Sequence, residues 1–326
     1  MKKLALAGIA LAALAAPALA NDSTAALSAG GLELVRNDDI AILSEDLHVS
    51  AKEITVTYHF RNTTNHPVTY YVAFPLPSVD ASTPEEANFV LPGPASDNFV
   101  DFEVSVDGQK VAPQVYQAAI ALGVDRSDVL RKYGLPLNPA SEALYDDKLK
   151  NLPEEERDEL NRMGLVIVDE YNVQAAWKLD TTFYWQQTFE PGREIVVKHR
   201  YKPVVGFGFF GTSSLDIPEY KEKYCFDDSF AKAARTRLKA IENAPNPYYD
   251  EQRISYILMT ANNWATSIGK FHLVVDKGEA DALVSFCGEG VRKISPTSFE
   301  VTAANYAPEK DLEILIAKPR KDDGGQ

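Results

Sequence analysis

Between Ile54 and Gly108 apolar and polar side chains alternate with a period of two, and this stretch predicts how the rest of the chain is built. In ITVTYHFRN, Ile54, Val56, Tyr58 and Phe60 fall on one face while Thr55, Thr57, His59 and Arg61 fall on the other, the pattern of a half-buried strand. A turn cluster from Asn62 to Pro67 follows. Val68, Tyr70, Val72 and Phe74 then share a face of a second strand, which Pro75 and Pro77 end by removing backbone donors. Pro84, Pro92, Gly93 and Pro94 mark a loop. Val100, Phe102, Val104 and Val106 predict a third strand, closed by the tight-turn pair Asp107-Gly108.

Upstream, Gly30-Gly31 leads into LELV and Asn37-Asp38-Asp39 separates it from IAIL, so Asn21 to Val49 reads as two strands. Downstream, over about 116–164, the period becomes helical. YQAAIALGV predicts two helical turns ended by Gly123, and Ser127 caps a short helix ending at Gly134. Asn138-Pro139 opens ASEALYDDKLKN, and Leu152-Pro153 opens EEERDELNRM, with acidic residues in its first turn and Gly164 at its stop. Such a block between strands serves either as a lid over a sandwich edge or as a partner-binding surface. Leu165 to Val168 returns to strand. TTFYWQQTFEPGREIVVKHRYKP then predicts a hairpin about Pro191-Gly192, with Phe183, Trp185 and Phe189 together on one arm and Ile195, Val197, His199 and Tyr201 on the other.

After GFGFFG (206–211), a helix over about 227–242 begins with Asp227 and stops before Pro245-Asn246-Pro247. The strand-like runs RISYILMT, KFHLVVD, ALVSF, SFEVTA and LEILIA follow, with Phe271, Leu273 and Val275 alternating against His272, Val274 and Asp276. The expected fold is mainly β: two β-sandwich domains, 21–210 with a short-helix insertion and 211–318, and then a polar tail over 319–326. Fifteen Tyr, fifteen Phe and only three Met agree with a β-rich interior.

Residues 1–20 have a different character. Lys2 and Lys3 precede the apolar run LALAGIALAALAA, and Ala18-Leu19-Ala20 is a small-residue cleavage site, so a signal peptide cut after Ala20 and a periplasmic address are expected. The apolar run is short of the about 20 residues a membrane span needs, so no span is expected after cleavage. Loss of Lys2 and Lys3 would take the formal charge from −14 to −16. Such acidity repels phosphate backbones, and nucleic acid is excluded as a partner. Two cysteines in an exported chain predict one disulfide, Cys225 to Cys287, worth about 4 kcal/mol on the chain-entropy account. No C-x-x-C or basic neighbour argues for a reactive thiol.

Several of these residues also carry a family resemblance. Phe60-Arg61-Asn62, the run Val72 to Pro77 (VAFPLP), Val106-Asp107-Gly108, Tyr116, Ala118-Ala119, and Pro191-Gly192 before Val196, Val197 and Tyr201 resemble the VIT domain, a β-sandwich of inter-α-trypsin inhibitor heavy chains, over roughly residues 50–201. The helical block is longer than that family usually carries, and the metal motif D-x-S-x-S of the domain that often follows is missing from this sequence. Over nearly its full length the chain is similar to exported bacterial proteins grouped as domain of unknown function 4424. That likeness rests on Asn21-Asp22-Ser23, Gly30-Gly31, the VAFPLP run, the segment Asn263 to Gly269 and Cys287. It implies periplasmic residence and no assigned activity.

Candidate chemistry is thin. Gly206 to Gly211 matches G-x-G-x-x-G, yet TSSLDIPEY follows it where a nucleotide-binding fold needs a helix, so an interdomain linker is the better reading. No G-x-S-x-G occurs, and Ser213, Ser214 and Asp216 have no nearby His in sequence. His48, His59, His66, His199 and His272 are scattered without ligand spacing; His59 and His272 alternate onto solvent faces, and His199 falls on an apolar one. Asp38-Asp39, Asp146-Asp147 and Asp227-Asp228 read as turn or cap residues. Neither metal nor cofactor is expected. Trp264, in the turn-rich NNWATSIG, is the best candidate for an exposed aromatic. With Asn263, Tyr248 and Tyr249 it makes up the expected set of ligand or partner contacts. The chain therefore reads as a non-enzymatic periplasmic protein acting through contacts with another envelope protein. The alternative is a carbohydrate-binding protein or glycoside hydrolase working at a sandwich rim.

Overall fold

A computed structural model describes residues 22–320 apart from 29–30, 84–87, 94–95, 143, 145–147 and 170–171. The expected signal segment, Asn21, Pro84, Pro94, Asp146-Asp147 and most of the polar tail lie outside the described residues.

The fold is mainly β, as the alternation predicts, and its framework is an eight-stranded sheet. In spatial order its strands are Arg292–Lys293, Ser298–Tyr306, Ile268–Asp276, Ile40–Ser50, Ile54–Asn62, Glu194–Tyr201, Glu103–Val106 and Gln109–Val111. All neighbours are antiparallel except Ile268–Asp276, which pairs in parallel with Ile40–Ser50. A seven-stranded sheet faces it, running from Val124–Asp125 through Gln114–Ala121, Lys178–Phe189, Val68–Pro75 and Ser23–Ser28 to Gly31–Val35, with Val79–Asp80 alongside Lys178–Phe189. A five-stranded sheet contains Leu283–Phe286, Leu312–Lys318, Tyr249–Tyr256, Val205–Phe210 and Phe89–Val90.

The strand Ile54–Asn62 buries Ile54, Val56, Tyr58 and Phe60 and leaves Thr55, Thr57 and His59 on the other face. Its Phe60 meets Phe189 of the facing sheet at 6.5 Å between ring centroids, and Phe102, which leads into Glu103–Val106, stacks on Phe183 at 4.3 Å and on Phe74 at 5.2 Å. The five-stranded sheet joins the same core, since the Tyr58 and Tyr256 hydroxyls lie 2.9 Å apart and Ile254, Ile314 and Ile316 belong to one apolar cluster with Ile40 and Leu47. Its opposite face packs under the helix Asp228–Ala240, where Leu315 and Ala317 meet Phe230, Ala234 and Leu238. With both faces covered, Ile314 to Ala317 can be continuously apolar. The Asp227 side chain accepts the Phe230 N–H at 2.6 Å and caps that helix.

The sheets do not respect the boundary expected at residue 210. Strands from both sides of it share the large sheet and a single core. GFGFFG is not a linker: all but its last glycine belongs to the strand Val205–Phe210. Gly269 makes the parallel seam possible. A Cβ there would lie 2.5 Å from the Leu43 carbonyl oxygen, beside the bulge that shifts the register between Ile42 and Ser44.

The insertion is partly strand. Gln114–Ala121 pairs along Lys178–Phe189 and buries Ala118, Ala119 and Ala121, so the helical reading of YQAAIA fails: sheet pairing overrides its helix propensity. Short helices do form at Ser127–Lys132 and Glu154–Arg162, each followed by a glycine of positive φ, Gly134 and Gly164. Ser127 does not cap the first of them; its Oγ accepts the Ala119 N–H at 2.9 Å. Asn138 Oδ1 accepts the Ala140 N–H at 3.0 Å, as a cap would. The third predicted strand is regular only over Glu103–Val106, because Asn98 clamps Phe102 through both its side-chain amide atoms and Asp101 adopts a positive φ. Residues 22–49 hold three strands rather than two.

Candidate interaction surface

The residues expected to touch a ligand mostly face inward. Trp264 is 1% exposed, packs on Phe60 at 4.7 Å between centroids, and donates its indole N–H to the Asp22 carbonyl. Asn263 donates its side-chain amide to Ser23 Oγ at 3.0 Å, and its carbonyl accepts the Asn37 N–H at 2.6 Å. The pair therefore anchors the first strand, and burial rules Trp264 out as a surface contact. Tyr249 is buried under the helix Asp228–Ala240. Asn263 and Tyr248 stay partly open, with Asn263 tied inward through Ser23. Tyr248 has different surroundings. Its ring lies 4.5 Å from that of Phe209, which is 65% exposed, and its hydroxyl accepts from Arg320 at 2.8 Å. Cys225 and Cys287 form the expected disulfide.

A polar pair is sealed in the same core. His199 Nε2 lies 3.0 Å from both Asp22 carboxylate oxygens, and neither side chain has any exposed surface. The Tyr58, Phe74, Phe102 and Trp185 rings enclose the imidazole at 4.8–5.7 Å. Burial raises the Asp22 carboxyl above its usual range, against the pull of His199. His199 is thus a core residue, as its apolar face implies, paired through Nε2 while its buried Nδ1 meets no hydrogen-bond partner among the described residues, and the pair ties the first strand to the large sheet. Enclosed in this way, it offers a substrate no approach.

The surface that departs most from ordinary packing lies on the insertion. Ala121 pairs with Val124 and Ile120 with Asp125, leaving Leu122-Gly123 as a two-residue turn. Both turn residues have positive φ, +50° and +76°, the signature of a type I′ turn, whose first position favours Asn, Asp or Gly. Leu122 is nevertheless there, and it is 77% exposed. Its side chain reaches over Gly164, where a Cβ would come within 2.6 Å of Leu122 Cγ. Beside it Ile167 is 44% exposed, and the two line an open depression together with Ser82, Asn161 and Lys178. Lys178 Nζ pairs with Asp80 at 2.7 Å. Although burial pushes the Asp80 carboxyl up, Lys178 and Ser82 hold it below its usual range. Ile167 sits on Val166–Val168, which among the described residues pairs only with Val173–Ala175; both Ile167 and its neighbour Val168 face solvent. Val124 adds a fourth exposed apolar side chain.

Sequence reasoning missed Leu122 because Tyr116 to Ala121 was read as helix, which made Gly123 a helix stop. Read as strand, Ala121-Leu122-Gly123-Val124 is a hairpin turn with leucine in the place of asparagine, and that mismatch is the available signal. Among the described residues no helix is long and apolar enough to cross a membrane.

Comparison with known proteins places the chain as follows. A family profile described as a domain of unknown function (DUF4424) matches residues 20–315. A search of the curated proteins returned no match. Among solved structures, a crystal structure from Legionella pneumophila subsp. pneumophila str. Philadelphia 1, of a protein described provisionally as nutrient binding, is 15% identical with a TM-score of 0.44, covering 86% of this chain and 68% of that one. At that distance the described role belongs to that protein alone.

Proposed function

The chain belongs to the DUF4424 family, a membership that brings no activity with it, and we propose from the surface chemistry that the protein is a non-enzymatic envelope protein that binds another protein through its insertion. The observation that carries this reading is Leu122, an exposed leucine held in a left-handed turn. Both hydration and backbone preference favour asparagine there, and a residue that breaks local rules for only a small packing return marks a surface kept for contact. The ligand is an extended apolar segment of a partner protein. Val166–Val168 lies in a two-stranded ribbon that joins no other described sheet, and its exposed Ile167 and Val168 suit strand addition. The signal-like segment Met1 to Ala20 supports a periplasmic address, and the VIT-like order of motifs supports an interaction module.

The test is mild crosslinking in periplasmic extract with wild-type protein, Leu122→Asn and Ile167→Asp. A defined partner captured by wild type and lost in both variants, with the fold intact, supports the reading. Equal capture by all three would sink it. A second reading, carbohydrate binding, rests on the exposed Phe209 ring paired with Tyr248. It requires binding to a glycan that Phe209→Ala removes and Leu122→Asn leaves unchanged.

A further inference from the structure

The parallel seam brings together side chains that no sequence spacing would connect. Asp46 and His48 alternate outward on Ile40–Ser50 against the buried Glu45, Leu47 and Val49. His272 stands beside Asp46 in the register of Ile268–Asp276, so three residues from opposite ends of the chain share one patch of the large sheet's outer face. Asp46 Oδ1 lies 2.8 Å from His272 Nδ1 and 3.6 Å from His48 Nε2, and one ligand atom from each residue falls within 4.8 Å of the other two. The two imidazole centroids are 6.1 Å apart. The reading of all five histidines as scattered therefore fails for this pair.

We propose that Asp46, His48 and His272 form a three-ligand site for a divalent transition-metal ion, with Glu300 as the carboxylate that orients His272. A tetrahedral zinc ion with bonds of about 2.0–2.1 Å holds its ligand atoms about 3.3 Å apart, and the observed separations bracket that value. Rotation of exposed side chains closes the difference. Two imidazoles and one carboxylate suit zinc, nickel or copper(II) better than calcium or magnesium.

A second observation is independent of the ligand triangle. His272 Nε2 lies 3.1 Å from Glu300 Oε1, and Arg292 in turn binds the other oxygen of Glu300 at 2.5 Å. A metal-bound histidine commonly donates its second N–H to a carboxylate, which fixes the tautomer and the ring plane. Here that arrangement leaves Nδ1 facing the other two ligands. Asp46, His48 and His272 are also partly open to solvent, so an ion can enter and its fourth position can take water or a group from a partner. Once bound, the ion would join Ile40–Ser50 to Ile268–Asp276 across the seam.

Calorimetric titration of the EDTA-stripped full chain with zinc chloride tests this. One equivalent should bind, and zinc should raise the melting temperature of the wild type but not of His272→Asn. His272→Asn and His48→Gln should each weaken binding at least tenfold. Glu300→Gln keeps all three ligands and should weaken it by about 10–100-fold. His59→Asn and His66→Asn should change nothing, and cobalt(II) should give visible ligand-field bands that His272→Asn abolishes. Binding that survives loss of either ligand histidine, binding that follows His59 or His66, or no binding by folded wild type would overturn the proposal. Should a ligand variant fail to fold, the wild-type stoichiometry and Glu300→Gln decide.

Discussion

Replacing Leu122 with asparagine should make the isolated protein more stable, an unusual expectation for removal of a large apolar side chain. Leucine in the left-handed region costs about 1–2 kcal/mol relative to the right-handed alternative, whereas asparagine enters that region readily. Against this stands the lost contact with Gly164. Leu122 is 77% exposed, so only about a quarter of its surface is covered. Full burial of a leucine is worth about 1.5–3 kcal/mol, which puts the covered part at about 0.4–0.7 kcal/mol. The balance favours Leu122→Asn by about 0.3–1.6 kcal/mol. Urea unfolding followed by far-ultraviolet circular dichroism would show this as a higher midpoint at unchanged slope. A loss of 1 kcal/mol or more would mean that Leu122 serves the fold, and the argument that it is kept for a partner would go with it.

Asp227→Ala should destabilise the protein by about 1 kcal/mol at neutral pH through loss of the helix cap. The Phe230 N–H and then Ser229 hold the Asp227 carboxyl below its ordinary 3.8, so its contribution is complete above that value. It should fade as pH falls through the lower folded-state pKa, and a gap between Asp227→Ala and wild type that stayed constant down to strong acid would contradict this. Reduction of Cys225–Cys287, which closes a separation of 62 residues, should cost about 4 kcal/mol in the entropic account, read as a shift in unfolding midpoint with and without reductant. Gly269→Ala sets a Cβ 2.5 Å from the Leu43 carbonyl oxygen and should destabilise by about 1–3 kcal/mol; a neutral result would mean the seam yields more easily than a packed interior does.

Much of this architecture can be read from the chain, in places for identifiable reasons. Ile54–Asn62 alternates cleanly because one face is core and the other is water. Asp227 acts through local hydrogen bonding and needs no tertiary context. The hairpin expected about Pro191-Gly192 does not form, because Lys178–Phe189 and Glu194–Tyr201 run in different sheets and the Gly192 N–H is taken by the Asn62 carbonyl at 3.0 Å. Gln114–Ala121 misleads because its alanines favour helix, and only pairing with Lys178–Phe189, some sixty residues on, makes it strand. Trp264 misleads because a turn-rich neighbourhood suggests exposure, whereas this turn folds inward to hold Asp22 and Ser23. The cluster at His272 was illegible for a different reason. Its members meet through a pairing 226 residues apart, and no local window contains both sides.

That long-range pairing also orders events in time. A chain emerging from its amino terminus makes Ile40–Ser50 early, yet the neighbour that covers one flank arrives only with residues 268–276. Until then the middle of the future sheet is an open border, able to pair with another chain instead. A cell making this protein should therefore need to shield nascent molecules, or keep them dilute, through most of their synthesis. Crowded overexpression should trap them as aggregates well before it exhausts the cell's capacity to translate.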